Sequence, residues 1–419
     1  MKSITITDLQ KFHENYHHKS NKKSEKQITR HGIERFTLNH KILRENPNRF
    51  NLQLPSYHIY DQHDSGRCWC FSGLNLIEGD IAKNLNITPR RLALSANYIT
   101  FCDKLEKTNY LFNYVLENDF SIQKLHQEVF CKHGPLSEGG YFTNFVNIIA
   151  KYGLVPADAM PENQNTNNSR NLFLPLWQEK AKTDALELYY QKSELSAEKL
   201  YQLKKQKLSE VYNFLARISG EPPQTFSYKY TNRDNQRVYL KNYTPKRFRD
   251  EFLTLDLGKF KLIRCNPLKK FYTEHILENQ YSDNPFHPEI KYINLPKEDI
   301  KNLTLMQLKS GIPVKIGVRM DIFKHKNINV LDTRLYDYSR LGLKPADYQI
   351  GVITNSIKSQ HSMVITGAQI ENNHPVRWRV ENTHADHQFF VMNDNFFDIY
   401  LTNVSIYSDI IHQAKIEIK

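Results

Sequence analysis

One run of apolar residues constrains the fold of this chain most strongly, and it begins at a cysteine. Residues at the spacing of one α-helical face are Cys70, Leu74, Ile77, Ile81 and Leu85. Pro89 follows closely and ends the pattern. The spacing therefore predicts a helix that starts at Cys68 and buries Cys70 on its apolar stripe as a small, inert hydrophobic residue.

The character of the sequence changes from helical to strand-like along the chain. Short helices are predicted at 94–117 and 139–153, whereas runs such as "IPVKIGVRM", "HSMVITGAQI" and "QFFVMN" are typical of strands. The Leu-, Lys- and Glu-rich stretch 170–218 predicts one or two long amphipathic helices that project from the main body. These signals together predict an α+β protein with two facing subdomains of different class.

We divide the chain accordingly into four segments. An N-terminal arm, 1–50, precedes a helical subdomain, 51–165, that contains Cys68. A helical insertion and connecting region follows at 166–300, and a β-rich subdomain occupies 301–419.

Composition narrows the class of protein. No run approaches the ~18 apolar residues of a membrane helix, and the first residues carry no apolar core of a secretory signal. Five irregularly spaced cysteines argue against a disulfide framework, so we expect a cytoplasmic protein without a membrane partner. The net charge of +12 leaves two readings open, an anionic partner such as nucleic acid or scattered surface lysines.

Cys68 has the surroundings that a catalytic cysteine needs. At the first turn of a helix, the macrodipole and free N–H groups favour a thiolate. Gln62 lies six residues upstream, and a turn at Ser65–Gly66 brings its amide toward the Cys68 backbone N–H, which makes two donors for an oxyanion. A purely structural cysteine remains the alternative at this point.

A hairpin in the last third supplies a base. The turn signal "ENNHP" separates two strand-like runs. A hairpin centred in that turn places His361 nearly opposite Asn382, on the same face and about 5 Å away at Cβ. The Asn382 amide would orient the imidazole and leave its other nitrogen for the thiol; surface polarity is the alternative reading.

These segments together resemble a known family. "QHDSGRCWCF" resembles the active-site segment of papain-like cysteine peptidases, and "SGRCW" looks like the branch of bleomycin hydrolase and bacterial aminopeptidase C. Secreted members have a disulfide-bonded cysteine where this chain has Ser65. Further similar segments, in order along the chain, are "LALSANYITFCDKLEKTNYL", "LSEGGYFTNFVNIIAKYGLVPADAMPE", "GEPPQTFSYKY", "LDTRLYDY" and "HSMVITG" with "RWRVEN".

The resemblance implies a papain-like two-subdomain fold and cysteine-peptidase activity on peptides, with no cofactor and no metal. It implies Cys68 as nucleophile, His361 as base, Asn382 as its orienting partner and Gln62 as an oxyanion donor. Gly139 and Gly140 would pair their backbone with the substrate. The family assembles as a homo-hexamer, and some members bind nucleic acid.

Two features depart from the family pattern. His384 follows the Asn382–Thr383 pair where the family has a tryptophan that shields the His–Asn hydrogen bond, so we expect a weaker and more pH-sensitive enzyme. The sequence "SDIIHQAKIEIK" lacks the family's Pro- and Gly-rich tail, which would open the cleft to oligopeptidase or endopeptidase action. The alternative function is a weakly active or inactive scaffold that binds nucleic acid or protein.

Overall fold

Two subdomains face each other in the structure, a computed structural model that describes residues 3–19, 22–55, 58–131, 136–277, 289–323, 328–344, 346–384 and 387–419. One is built from helices and the other around a large sheet, and each has its own buried apolar core. The α+β class expected from the sequence is therefore present.

The helices follow the capping and spacing signals of the sequence, and they are α1 (Ile6–Lys19), α2 (Lys22–Thr37), α3 (His40–Glu45), α4 (Cys68–Asn84), α5 (Ala96–Glu117), α6 (Ile122–Leu125), α7 (Phe142–Tyr152), α8 (Gln164–Asn167), α9 (Phe173–Gln191), α10 (Ala197–Ser219), α11 (Pro245–Phe252), α12 (Lys297–Lys309), α13 (Tyr348–Ile353), α14 (Asp394–Tyr400) and α15 (Ser408–Gln413). The strands are β1 (Leu52–Gln53), β2 (Phe226–Thr231), β3 (Arg237–Tyr243), β4 (Phe260–Arg264), β5 (Thr273–Ile276), β6 (Lys291–Asn294), β7 (Val314–Val318), β8 (Val330–Leu331), β9 (His361–Glu371), β10 (His374–His384), β11 (His387–Asn393) and β12 (Leu401–Tyr407).

The helical subdomain packs α4, α5, α7, α9, α10 and α11 around one core. The two long helices α9 and α10 do not project from the body as the sequence suggested. Trp177 on α9 and Leu215 on α10 are fully buried in this core, and the Trp177 indole donates to Thr108 on α5. Burial of apolar side chains of both helices against α5 stabilises this packing, so the two helices lie against the subdomain.

The sheet subdomain contains a ten-stranded sheet among the described residues, in the order β5-β6-β4-β12-β7-β9-β10-β11-β8, with β1 also paired to β9. It therefore takes strands from 52–53 and 260–294 as well as from the last third of the chain. Helix α4 packs against one face at β7, β9 and β10, whereas α12 and α14 cover the apolar core of the subdomain. The start of β9 lies where α4 meets the sheet.

The hairpin of β9 and β10 differs in register from the sequence-based expectation. Asn372 and Asn373 form its two-residue turn, and both have the left-handed φ that such a turn requires (50° and 64°). Glu371 therefore pairs with His374 and Glu381 pairs with Val364, and between these pairs the register shifts twice, at Pro375–Arg377 and at Arg379–Val380. His361 lies three residues from Val364, whereas Asn382 lies one residue from Glu381, so the two are offset along the hairpin and not directly opposite as predicted.

In the part of the chain that the structure describes, no helix is long and apolar enough to span a membrane.

Candidate active site

The Cys68 thiol lies at the junction of the two subdomains, at the first residue of α4. Its side chain is partly exposed, and the backbone N–H groups of Ser362 and Trp69 donate to its sulfur. Burial raises the pKa of this thiol, whereas the Ser362 hydrogen bond and the nearby positive charge of Lys315 act against the increase. The lowered thiol pKa expected from the helix terminus is thus outweighed by the loss of water around the sulfur.

Gln62 is buried directly before the turn that leads into α4. One hydrogen of its side-chain amide goes to the Ser65 carbonyl, with Nε2 and O 2.7 Å apart, which leaves the second N–H available. The Ser65 hydroxyl donates back to the Gln62 carbonyl over 2.6 Å and accepts from Arg67. These bonds lock the tight turn without a covalent cross-link.

Two bonds fix Gln62 to the opposite subdomain. Its backbone N–H donates to the Thr383 carbonyl over 2.7 Å, and the Thr383 hydroxyl donates to Gln62 Oε1 over 2.5 Å. Because Thr383 follows Asn382 directly, the amide of Gln62 is held in register with that residue.

His361 and Asn382 are joined as the sequence analysis expected, although by a different route. His361 Nε2 lies 2.9 Å from Asn382 Oδ1, and Asn382 is buried. In the observed register the two residues are diagonal neighbours on one face, which is within reach of side chains of this length. The bond orients the imidazole through Nε2, so Nδ1 remains to act on another group. His361 also directly precedes Ser362, whose backbone N–H contacts the thiol.

His384 covers this pair from the neighbouring position of the sheet. Its ring stacks on the His361 ring with centroids 5.8 Å apart and planes 28° from parallel. His384 Nδ1 lies 4.0 Å from Asp61 Oδ1, and the other oxygen of the same carboxylate lies 3.3 Å from His63 Nδ1. A side chain only about a quarter exposed thus takes the shielding position that the family gives to tryptophan.

Glu138 is a buried residue of the site that sequence reasoning missed. Its carboxylate accepts the Gly66 N–H over 2.5 Å and lies 3.5 Å from the Lys104 ammonium, while its backbone carbonyl accepts from the Trp69 indole. Burial raises its pKa, but the charge of Lys104 and the hydrogen bonds outweigh burial and leave the pKa below its usual value. No local signal in the sequence marks Glu138, since a glutamate is rarely buried unless it is paired and its partners Gly66 and Lys104 are distant in the sequence.

Of the predicted substrate-binding pair Gly139 and Gly140, Gly140 lies against the ring of Trp69, the residue after Cys68. A Cβ at Gly140 would be 2.8 Å from the Trp69 ring, whereas a Cβ at Gly139 would meet nothing within 4 Å. The Lys107 ammonium donates to the Gly139 carbonyl over 2.9 Å and fixes that peptide. Packing therefore requires glycine only at position 140.

Among the described residues, no group of three or more His, Cys, Asp or Glu side chains could hold a metal ion. Cys131 lies 3.1 Å from His126 Nε2 at an exposed position, away from Cys68 and Cys70 in the sequence. The neighbouring His133 falls outside the described residues.

Comparison with known proteins gives a consistent result. A model of the peptidase C1-like family matches residues 3–418. Aminopeptidase C of Listeria innocua is 30% identical over 88% of this chain and 84% of its own length, and aminopeptidase G of Lactobacillus delbrueckii subsp. lactis is 28% identical over 96% and 93%. The crystal structure of PepW from Lactobacillus rhamnosis HN001 matches with a TM-score of 0.88 and 24% identity, covering 99% of this chain and 97% of that one. The papain-like fold expected from the sequence is thereby confirmed.

A matched pair of substitutions separates packing from substrate contact at the two glycines. Gly140→Ala should lower the free energy of unfolding by about 1–3 kcal/mol because its methyl group overlaps the Trp69 ring. Gly139→Ala should change it by less than about 0.5 kcal/mol, since the space is open. Urea unfolding measures both, and equal losses of stability would contradict the packing argument. At unchanged stability, Gly139→Ala should also lower kcat/KM for peptides.

The Glu138 carboxylate should stabilise the fold in a pH-dependent way. Glu138→Gln leaves Lys104 without its partner, which should cost about 3 kcal/mol at neutral pH. A carboxyl whose pKa is lowered in the folded state stabilises above its unfolded pKa of about 4.5, and this contribution fades as the pH falls through the folded pKa. The difference between variant and wild type should therefore shrink below about pH 4.

Urea unfolding over a pH series provides the measurement, with the exposed Glu194→Gln as the matched control. A loss of stability that is the same at acid and neutral pH would show that the ionised carboxylate is not the stabilising group.

Proposed function

The chain belongs to the peptidase C1-like family, and from that membership we propose that it hydrolyses peptides through a thioester formed on Cys68. It is a cysteine-type peptidase by family. The proposal assigns the individual chemical steps to Cys68, His361, Asn382 and Gln62.

In the first step, His361 takes the proton of the Cys68 thiol and the sulfur attacks the carbonyl carbon of the scissile bond. The oxyanion that forms accepts hydrogen bonds from the free N–H of Gln62 Nε2 and from the Cys68 backbone N–H. The latter belongs to the first residue of α4, so it has no acceptor within the helix. Both donors are fixed before substrate arrives, since Gln62 is held by Ser65 and by Thr383.

In the second step, the His361 imidazolium donates its proton to the leaving amine and the C–N bond breaks. A water molecule, deprotonated by His361, then attacks the thioester, the C–S bond breaks, the free acid leaves and His361 returns the proton to the Cys68 sulfur. Asn382 keeps the imidazole in one orientation through both steps by its bond to Nε2. One observation supports the proposal above the others. His361, which is hydrogen-bonded to Asn382, directly precedes Ser362, and the backbone N–H of Ser362 contacts the Cys68 sulfur.

The relatives described above are named aminopeptidases, so we extend the proposal to removal of N-terminal residues from peptides with a free amino group. Oligopeptidase action on peptides with a blocked amino end is the second candidate. From the resemblance, the proposal also includes a homo-hexamer in the cytoplasm. Nucleic-acid binding, which the net charge of +12 and the family resemblance allow, is not part of the proposal.

Hydrolysis of aminoacyl and N-acetylated peptide fluorophores tests the proposal. Cys68→Ala should lower kcat/KM by about a thousandfold or more because the thioester can no longer form. Cys131→Ala, which removes an exposed thiol elsewhere, is the matched control and should leave the rate unchanged.

Turnover that survives in Cys68→Ala would refute the mechanism, and a wild-type protein without turnover would favour the scaffold reading. Cleavage of N-acetylated peptides would replace the aminopeptidase assignment by an oligopeptidase one without affecting the role of Cys68.

Substitution of His384 tests the shielding of the His361–Asn382 bond. His384→Trp should raise kcat/KM several-fold at neutral pH, because a larger ring excludes water and strengthens that bond. His384→Ala should lower kcat/KM for the same reason. Steady-state kinetics on one aminoacyl substrate measures both changes, and a rate that does not depend on the size of this side chain would contradict the argument.

A further inference from the structure

We propose that Lys315 is a positioning residue for this chemistry, whose buried ammonium lies at the junction that contains Cys68 and favours the thiolate over the thiol. The inference rests on the proposed function, in which Cys68 is the nucleophile. It concerns a side chain that neither the sequence motifs nor the steps above involve.

The strand pairing fixes the face on which Lys315 lies. In β7, Lys315 pairs with Val364 and Gly317 pairs with Ser362, so these four residues share one face of the sheet. Their neighbours Ile316 and Val318 point the other way, into the apolar core of the sheet subdomain. Lys315 therefore does not face the core of its own subdomain.

The face that carries Lys315 is the one that contacts the nucleophile helix. The Ser362 hydroxyl lies 2.9 Å from the Ser72 hydroxyl on α4, and the Ser362 backbone N–H donates to the Cys68 sulfur. Lys315 is located two residues along β7 from the partner of Ser362. Its side chain thus starts from the same junction in which the thiol lies.

The end of the Lys315 side chain crosses toward the helical subdomain. Its Nζ lies 5.6 Å from the centroid of the Phe142 ring, at the first residue of α7 and two residues after Gly140. The residue is 5% exposed, and among the described residues no carboxylate forms an ion pair with it. A buried ammonium without a carboxylate is costly unless another negative charge compensates it.

Once the Cys68 thiol loses its proton, its thiolate is the negative charge that compensates this ammonium. Burial lowers the pKa of Lys315 to about 8, and interaction with the Cys68 thiolate opposes that decrease. Lys315 is therefore still mostly protonated at neutral pH. Conversely, its charge lowers the pKa of the Cys68 thiol against the effect of burial, more than the charge of Arg170 does. His361, which directly precedes Ser362, is the group that exchanges the proton in the proposed reaction.

The experiment measures the ionisation of Cys68 in three lysine variants, all made in the Cys131→Ala background. Lys315→Met keeps the length of the side chain and removes its charge, and Lys315→Arg restores the charge. Lys297→Met is the matched control, since Lys297 is also a buried lysine but lies at α12 and donates to the carbonyls of Phe397 and Leu401. Iodoacetamide labelling of the Cys68 peptide is followed by mass spectrometry across pH, beside kcat/KM.

Lys315→Met should raise the pKa of the Cys68 thiol by about one unit and slow its alkylation at neutral pH about tenfold. The loss in kcat/KM should be similar at neutral pH and should shrink at alkaline pH, where the thiol ionises without help. Lys315→Arg should recover most of both rates, and Lys297→Met should leave the titration of Cys68 unchanged.

The inference is overturned if Lys315→Met titrates like the wild type, or if Lys315→Arg is as slow as Lys315→Met, which would indicate a packing role. A melting curve by circular dichroism shows whether each variant is folded. If Lys315→Met does not fold, the rates of Lys315→Arg decide between a role of the charge and a packing role. Failure of the inference is distinct from failure of the proposed function. If only the inference fails, Cys68→Ala is still inactive. If the proposed function fails, Cys68→Ala keeps its activity.

Discussion

The pair of hydrogen bonds between Gln62 and Thr383 is the link on which the site depends. It joins the segment before α4 to the strand that carries Asn382, and both residues are buried. In the proposed mechanism, the Gln62 amide donates to the oxyanion and the Asn382 amide orients the imidazole. These two amides must keep one fixed separation, because errors of about 1 Å are costly in catalysis. The two hydrogen bonds between Gln62 and Thr383, which is the residue next to Asn382, hold that separation better than contacts between side chains alone.

Buried charges support the same junction from the helical side. Lys104 and Glu138 lie beneath the Gly66 turn, and Lys107 bonds both Asp103 and the Gly139 carbonyl. Each charge is compensated by a partner or by backbone groups, which is the condition under which charges are tolerated in an interior. The loop that carries Cys68 is consequently held by directional bonds, and Gly140 packs against Trp69.

Local signals predicted much of this structure, and non-local ones did not. The apolar stripe that begins at Cys70 and the asparagine turn at 372–373 each depend on residues a few positions apart, so α4 and the hairpin could be predicted. The register of the hairpin could not be predicted, because it depends on which two residues of the turn take the left-handed conformation. The position of α9 and α10 could not be predicted either, because it depends on the complementary surface of α5. The roles of Glu138 and Lys315 could not be predicted because they come from partners far away in the sequence. The pKa of the Cys68 thiol was misjudged because the helix terminus is encoded locally, whereas burial is created by the other subdomain.

The pairing of β1 with β9 has a consequence for how the chain folds. Leu52 and Gln53 form their ladder with Ala368 and Gly367, which are more than three hundred residues away in the sequence. Closing so long a loop carries an entropic cost that must be met before the contact stabilises anything. Topologies dominated by such contacts fold slowly. During synthesis, the segment that contains Cys68 leaves the ribosome long before the strands that complete its surroundings. The nascent chain therefore carries the thiol without the cleft, and the cleft can form only late.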